Sequence, residues 1–159
     1  MQPPVYGLDD SLRPRGKMVQ LEQHLHIAAP RHRVWAILED HERMPEWFPV
    51  REVILTQAGS PEPGGVGAVR LVRTLGAVIE EHVSAFKPPE LLEYTLEKGA
   101  PLRHYHARVA LESDGDGTRV SWSASFEPVV PGTGGIARRV LARLFRRGLE
   151  GLKRRAETP

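Results

Sequence analysis

Apolar and polar positions alternate along much of the chain, with the period of strands that bury one face. The first alternating segment runs from Met18 to Ile27. Six more follow, separated by clusters of glycine, proline and aspartate that indicate turns. They span residues 51–59, 68–74, 77–86, 91–98, 102–113 and 118–126. This order predicts a meander of antiparallel strands.

Helical patterns follow the first strand and the last one. Ala29 and Pro30 predict a helix start at Arg31, because proline is tolerated in a first turn where its missing donor would be unpaired anyway. A second short helix is predicted over 41–47, and a long one from Ile136 onward. The long helix carries apolar residues on one broad face, at positions 136, 137, 140, 141, 144, 145, 149 and 152. Segregated strands and helices predict an α+β domain with the long helix across one face of the sheet.

The amino-terminal residues 1–16 contain three prolines and show no apolar period. We expect them to form a loosely ordered leader. Residues 17–159 are predicted to form one domain, since a chain of 159 residues is long enough to bury one substantial core.

Glu81 interrupts the apolar face of its strand, which it shares with Ile79. A carboxylate among apolar neighbours is costly unless something pairs with it. A two-residue turn at 75–76 would place Arg70 directly opposite Glu81, and Val72 opposite Ile79. Arginine could then bracket the carboxylate with two hydrogen bonds. A register shift of one residue would instead put the two charges on opposite faces of the sheet.

The alternation of apolar and polar residues in the later strands predicts which of their side chains lie on the same face of the sheet as Glu81. The sequence therefore predicts an apolar basin with a polar floor of Arg70, Glu81 and Tyr105, the usual composition of a small-molecule site. The candidate lining residues are Arg70, Val72, Ile79, Glu81, Tyr94, Arg103, Tyr105, Trp122, Phe126, Val140 and Leu144. The alternative is a structural ion pair that fixes strand register inside a filled core.

The same floor offers groups for proton transfer. Glu81 and Tyr105 are candidate proton carriers, and Arg70 or Arg103 is a candidate for stabilising an enolate, as dehydration or aldol closure of a polyketone requires. No cofactor is expected, because the glycine-rich residues 132–135 lead into the last helix without a strand running straight into them.

Composition and charge narrow the function classes. The absence of cysteine excludes disulfides, thiolate nucleophiles and cysteine-ligated zinc. No apolar run approaches the roughly 18 residues of a membrane span, and no signal-like stretch opens the chain, so a cytoplasmic location is expected. Two histidine pairs, His24/His26 and His104/His106, have a spacing that can hold a metal. Both pairs are predicted on the outer face of the sheet, and no metal site is expected.

The charge is concentrated in the last helix. The formal charge is +6 over 136–159 and −4 over the preceding residues. A basic amphipathic helix can lie on an anionic membrane surface or contact phosphates. The alternative is that its arginines simply face solvent. No stacking platform of aromatic residues accompanies the arginines, so a nucleic-acid partner is not expected.

Several segments resemble a known superfamily. They are IAAPRHRVWAILEDHERMPEW, GGVGAVR, the EEHV and LEYTLE strands, GTRVSWSASFEP and LEGLK. Over Met18 to Arg155 the chain is similar to the helix-grip proteins that include birch pollen allergens and START-like proteins. Within them it is most similar to the bacterial polyketide cyclase/dehydrase and lipid-transport group.

The resemblance implies a curved seven-stranded antiparallel sheet wrapped around the long helix, with a cavity between them. It implies binding of a hydrophobic small molecule such as a lipid, an isoprenoid or an aromatic polyketide, by a monomer or homodimer. A polyketide cyclase or dehydratase using the same pocket is the alternative, and a structural or interaction module with a filled core is the third. Plant abscisic acid receptors of this superfamily carry an arginine, a glutamate and a tyrosine that match Arg70, Glu81 and Tyr105. Their longer gate loop is replaced here by the short turn at 75–76, which argues against a closing latch.

Overall fold

The alternating segments form one antiparallel sheet in the computed structural model, which describes residues 16–159. The predicted leader therefore lies, apart from Gly16, outside the described residues. The spatial order of the seven strands is β1-β7-β6-β5-β4-β3-β2. Their bounds are β1 Val19–Ile27, β2 Glu52–Gln57, β3 Val69–Arg73, β4 Val78–Lys87, β5 Leu91–Lys98, β6 Leu102–Asp114 and β7 Gly117–Pro128.

The helices lie where the apolar period changes. They are α1 Arg31–Leu38, a 3₁₀ helix His41–Glu46, and α2 Gly134–Glu157. α1 follows Pro30, whose φ of −67° suits the entry to a helix. It buries Trp35, whose ring meets Phe86 edge-on at a centroid distance of 5.2 Å. The α+β helix-grip architecture expected from the sequence is confirmed.

Helix α2 lies along β1 on the inner face of the sheet and packs less closely on β7 and α1. Near its start, Arg138 Nε donates to the Gln20 carbonyl at 2.9 Å. Near its end, Lys153 Nζ donates to the His26 carbonyl at 3.1 Å, and the Ala28 amide donates to Glu157 at 2.8 Å. Strands β2 to β5 have few or no contacts with α2. The helix therefore approaches β1 more closely than it approaches the other strands.

The sheet has two ends, which are defined by the direction of α2. At the proximal end, where α2 begins, Val19 pairs with Phe126 and Leu102 pairs with Pro128. The β3–β4 and β5–β6 turns also lie at this end, as does the start of β2. The distal end carries α1 and the loop between β2 and β3. No helix in the described part of the chain combines the length and the apolar character that a membrane span requires.

Candidate functional site

The β3–β4 hairpin places Arg70 opposite Glu81 and Val72 opposite Ile79. This is the predicted register. The two charged side chains meet, with Arg70 Nε donating to Glu81 Oε2 at 2.7 Å. The Arg70 side chain is 2% exposed and the Glu81 side chain 13% exposed. A guanidinium buried to this degree requires partners for its charge and its donors.

The second partner of Arg70 is His41, which the sequence pattern does not indicate. Arg70 Nη1 donates to His41 Nδ1 at 2.9 Å, and His41 Nε2 donates to the Gly64 carbonyl at 2.9 Å. These two contacts fix a neutral imidazole that carries its proton on Nε2. The bidentate hydrogen bonding expected between Arg70 and Glu81 is therefore wrong. Only Nε of Arg70 donates to the carboxylate, because Nη1 donates to His41 in the 3₁₀ helix. Chain spacing gives no sign of this, since 29 residues separate His41 and Arg70.

An aromatic layer lies under the guanidinium. Arg70 Cζ lies 4.8 Å from the centre of the Tyr94 ring, a cation–π distance. Trp122 Nε1 donates to the Tyr94 hydroxyl at 3.1 Å, and the Tyr94 and Tyr105 rings are 6.3 Å apart. Burial, followed by the negative charge of Glu81, raises the pKa of Tyr94. Burial also raises the pKa of Tyr105 well above its ordinary value, so both phenols stay protonated and can donate hydrogen bonds.

Hydrogen-bonding capacity remains unused in this interior. Among the described residues, Arg70 Nη2 has no hydrogen bond, and neither does the buried Trp47 Nε1. The Trp47 ring lies 6.3 Å from Trp122, which in turn stacks on Phe145 of α2 at 4.6 Å. Trp47 Nε1 is the one buried side-chain donor without a partner among the described residues, and its ring belongs to the same packed cluster as Arg70. A buried donor left without a partner costs about 1–3 kcal/mol.

Several apolar residues on the inner face beside this cluster are only half-buried. Leu55 pairs with Arg70, and Leu96 pairs with Glu81, so both leucines share the face of the ion pair. Although they lie on the inner face, both are only half-buried. We use the name groove for a set of half-buried apolar residues that lie on α2, on strands β2, β4 and β5, and next to the 3₁₀ helix. These residues are Phe48, Leu55, Ile79, Leu96, Leu141 and Leu144.

The remaining predicted lining residues divide into three groups. Val72, Trp122 and Phe126 are buried in the core. Ile79 and Leu144 are half-buried. Val140 is 54% exposed, so its expected position inside a cavity is wrong. The buried residues of α2 are Phe145, Gly148, Leu149, Gly151, Leu152 and Ala156. Val140 lies at the margin of the face that they form.

Arg103 was also expected inside and is exposed. The reason is a β-bulge: Arg103 pairs with Glu127 and His106 with Ser125, so β6 carries one extra residue. His104 within the bulge has a φ of 51°. The extra residue reverses the alternation, so Tyr105 is buried while Arg103 faces solvent.

The histidine pairs make other contacts. His26 Nδ1 lies 3.0 Å from Asp114, and His106 Nε2 lies 3.3 Å from Glu93. Within residues 16–159, no group of three or more potential metal ligands converges. Three surface clefts of about 330, 380 and 510 Å³ have linings that include neither Arg70 nor Glu81.

The neutral state of His41 makes stability depend on pH. Burial, followed by the positive charge of Arg70, lowers the pKa of His41 from 6.5 to about 4. Between these values the unfolded chain binds a proton that the folded chain does not. The stabilisation is therefore complete above about pH 6.5 and is lost as the pH falls toward about 4. We expect a loss of about 2 kcal/mol between about pH 7.5 and about pH 5.

Urea unfolding across this pH range measures the effect. His41→Asn is the matched variant, because its Oδ1 can still accept from Arg70 while the titrating group is gone. The difference in free energy of unfolding between wild type and His41→Asn should vary with pH across that window. The contributions of the carboxylates cancel in this difference because both proteins contain them. Parallel pH profiles for the two proteins would contradict a buried neutral His41.

Fold and site together define an α+β helix-grip protein with a polar cluster beside half-buried apolar residues. The family described as "Polyketide cyclase / dehydrase and lipid transport" matches residues 18–157. The chain belongs to this family. Family and fold are consistent with binding of a hydrophobic ligand or with cyclase-type chemistry.

Solved structures share the fold. A START superfamily protein from Mycobacterium smegmatis is 15% identical, with a TM-score of 0.77 over 87% of this chain and 97% of that one. The protein XoxI from Bacillus cereus is 20% identical, with a TM-score of 0.75 over 87% and 95%. A Thermobifida fusca protein is 24% identical, with a TM-score of 0.73 over 86% and 92%. No curated protein sequence matches the chain.

Proposed function

We propose that the chain binds a hydrophobic small molecule, of the size and polarity of a lipid, isoprenoid or aromatic polyketide, between α2 and strands β2–β5. The observation that carries this proposal is the unused hydrogen-bonding capacity of Arg70 Nη2 and Trp47 Nε1 beside half-buried apolar residues. Apolar walls with a few placed polar groups are typical of ligand sites.

The geometry favours a ligand with an oxygen acceptor at one end. The ligand's apolar part would lie on the half-buried leucines of the groove. Its oxygen would accept from Arg70, Trp47 or both, recovering hydrogen bonds that the protein alone leaves unmade. His41 and Glu81 would hold the guanidinium in place during binding. Their two contacts leave one guanidinium nitrogen for the ligand.

Trp47→Phe tests this arrangement because it removes the free donor and keeps most of the ring. We expect the ligand-free variant to be as stable as wild type or slightly more stable, since an unsatisfied donor is lost. Affinity for the extracted ligand should fall about tenfold, equivalent to one hydrogen bond of about 1.4 kcal/mol. Trp35→Phe is the control, since Trp35 Nε1 already donates to Glu39 at 2.8 Å and is not a free donor.

The ligand is first identified by native mass spectrometry of the purified protein and by organic extraction. An equal loss of ligand affinity in Trp47→Phe and Trp35→Phe would show that Trp47 is not part of the binding site. If nothing co-purifies, and no hydrophobic fluorescent probe binds, the interior is a filled core and the proposal is wrong.

A cyclase or dehydratase reaction in the same site is the second candidate. It is favoured by Glu81 lying near two protonated phenols, Tyr94 and Tyr105, since a carboxylate can accept a proton while a phenol donates to an enolate oxygen. Turnover of a polyketone substrate that disappears in Glu81→Gln, while the ligand is still bound, would favour the enzyme. Binding without turnover would favour carriage.

A further inference from the structure

Exposed large apolar side chains are concentrated at the proximal end of the sheet. Eight are found among the described residues, and seven of them lie at this end. Leu75, at the tip of the β3–β4 turn, is 85% exposed, and Ile136, in the first turn of α2, is 67% exposed. The seven are Met18, Leu75, Val78, Val129, Val130, Ile136 and Val140. Only Val66 lies at the distal end.

Strand register places these residues, which come from four places in the sequence, at the same end of the sheet. Met18 precedes Val19, which pairs with Phe126 near the end of β7. The β7–α2 loop and the β5–β6 turn are joined by a hydrogen bond from the Val129 amide to the Pro101 carbonyl at 3.0 Å. The β3–β4 turn lies at the same edge. A concentration of this kind is typical of an interaction surface, whereas scattered single residues are not.

The chain segment that carries Val129, Val130, Ile136 and Val140 is positively charged. Between Pro128 and Leu149 the chain has five arginines and no acidic residue. Arg139 and Arg143 are exposed on the same half of α2 as Ile136 and Val140. The amino terminus of α2 also points to this end, and its first turn carries no acidic side chain. Helix dipole and arginines therefore both favour an anionic partner.

We propose that the proximal end docks on an anionic lipid membrane, with the apolar turn tips and the first turns of α2 inserted at the level of the headgroups. The apolar residues come from separate turns and from the start of a helix. Arginine side chains can lay their apolar stems along the surface and reach lipid phosphates with their charged ends. The docking surface is distinct from Arg70 and Glu81, and the proposal does not depend on what the groove binds.

Co-sedimentation with vesicles tests the proposal. The full chain should bind vesicles that contain phosphatidylcholine and phosphatidylglycerol in equal parts. It should bind vesicles of phosphatidylcholine alone much more weakly. Binding should weaken as salt is raised, since the screening length is about 10 Å at 0.1 M ionic strength. The double variant Ile136→Ser, Val140→Ser should lower vesicle partitioning at least about tenfold, because two apolar side chains no longer insert.

Two controls separate the contributions. Val66→Ser removes an exposed valine from the distal end and should leave partitioning unchanged. Arg139→Gln with Arg143→Gln should lower binding to anionic vesicles, whereas Arg119→Gln with Arg154→Gln removes the same charge elsewhere and should have a smaller effect. All substituted side chains are exposed, and circular dichroism checks that each variant folds.

Three results would overturn the proposal. One is failure of the wild-type chain to sediment with anionic vesicles at low salt. Another is an equal effect of the proximal and control variants. The third is a dimer in analytical ultracentrifugation that Ile136→Ser and Val140→Ser convert to a monomer, which would make the surface an interface between two copies of the chain.

Discussion

Arg70→Met is expected to lower the free energy of unfolding by about 3–5 kcal/mol, the cost of breaking a buried ion pair by removing one partner. The substitution leaves the Glu81 carboxylate, which is 13% exposed, without its cation. It also leaves His41 Nδ1 without the donor that lies 2.9 Å away. Methionine fills much of the volume of the arginine stem, so the loss comes from uncompensated polar groups and not from a large void. Urea unfolding followed by tryptophan fluorescence measures it.

The double variant Arg70→Met, Glu81→Leu should recover part of that loss, since neither charge is then left alone. A double variant no more stable than the single one would show that the two side chains do not form a pair in solution. Arg73→Met is the control on the same strand. Arg73 meets Glu52 at 3.4 Å with both side chains about half exposed, and such a pair contributes about 1 kcal/mol or less.

The register of the β3–β4 hairpin, which pairs Arg70 with Glu81, could be predicted from the sequence for a physical reason. Period two leaves only two choices of face, and burial of Ile79 and Val83 decides which face is inside. Once Glu81 is inside, an opposite charge directly across the turn can satisfy it, and Arg70 is at that position. Local alternation and short turns also account for the agreement of all seven strands and of α1 with the predicted elements.

The failures share a different cause. Arg103 was placed inside because alternation was extended through a bulge, and nothing in the letters around His104 shows the extra residue. His41 was missed because its contact with Arg70 joins a 3₁₀ helix to a distant strand. Contacts of this kind depend on how elements pack, which periodicity does not encode. The half-burial of the groove residues belongs to the same class, since it depends on how closely α2 packs on each strand.

The packing of α2 shows the same limit at its glycines. Sequence periodicity predicts a broad apolar face for the helix. Gly148 and Gly151 give no hydrophobic signal in this pattern because they have no side chain. In the structure both are buried. A Cβ added at Gly148 would lie 2.4 Å from the Phe48 ring, and one at Gly151 would lie 1.8 Å from the Trp47 carbonyl oxygen. These glycines allow α2 to approach the segment that follows the 3₁₀ helix.

Gly151→Ala is therefore expected to destabilise the protein by about 3 kcal/mol or more, the upper range for overpacking. In an exposed helix the same substitution would stabilise by up to about 1 kcal/mol. Here the obstacle is a backbone carbonyl, so α2 or the Trp47 segment must move as a unit. Gly148→Ala should cost less, because a Phe48 ring can rotate. Thermal and urea unfolding measure the differences.

Gly135→Ala provides the matched control within the same helix, since nothing lies within 4 Å of an added Cβ at that position. It should leave stability unchanged or raise it slightly. The contrast between Gly135 and Gly151 then isolates contact from helix propensity, because both residues lie in α2 and undergo the same chemical change. If Gly151→Ala were as stable as Gly135→Ala, α2 could not lie as close to Trp47 as the structure places it.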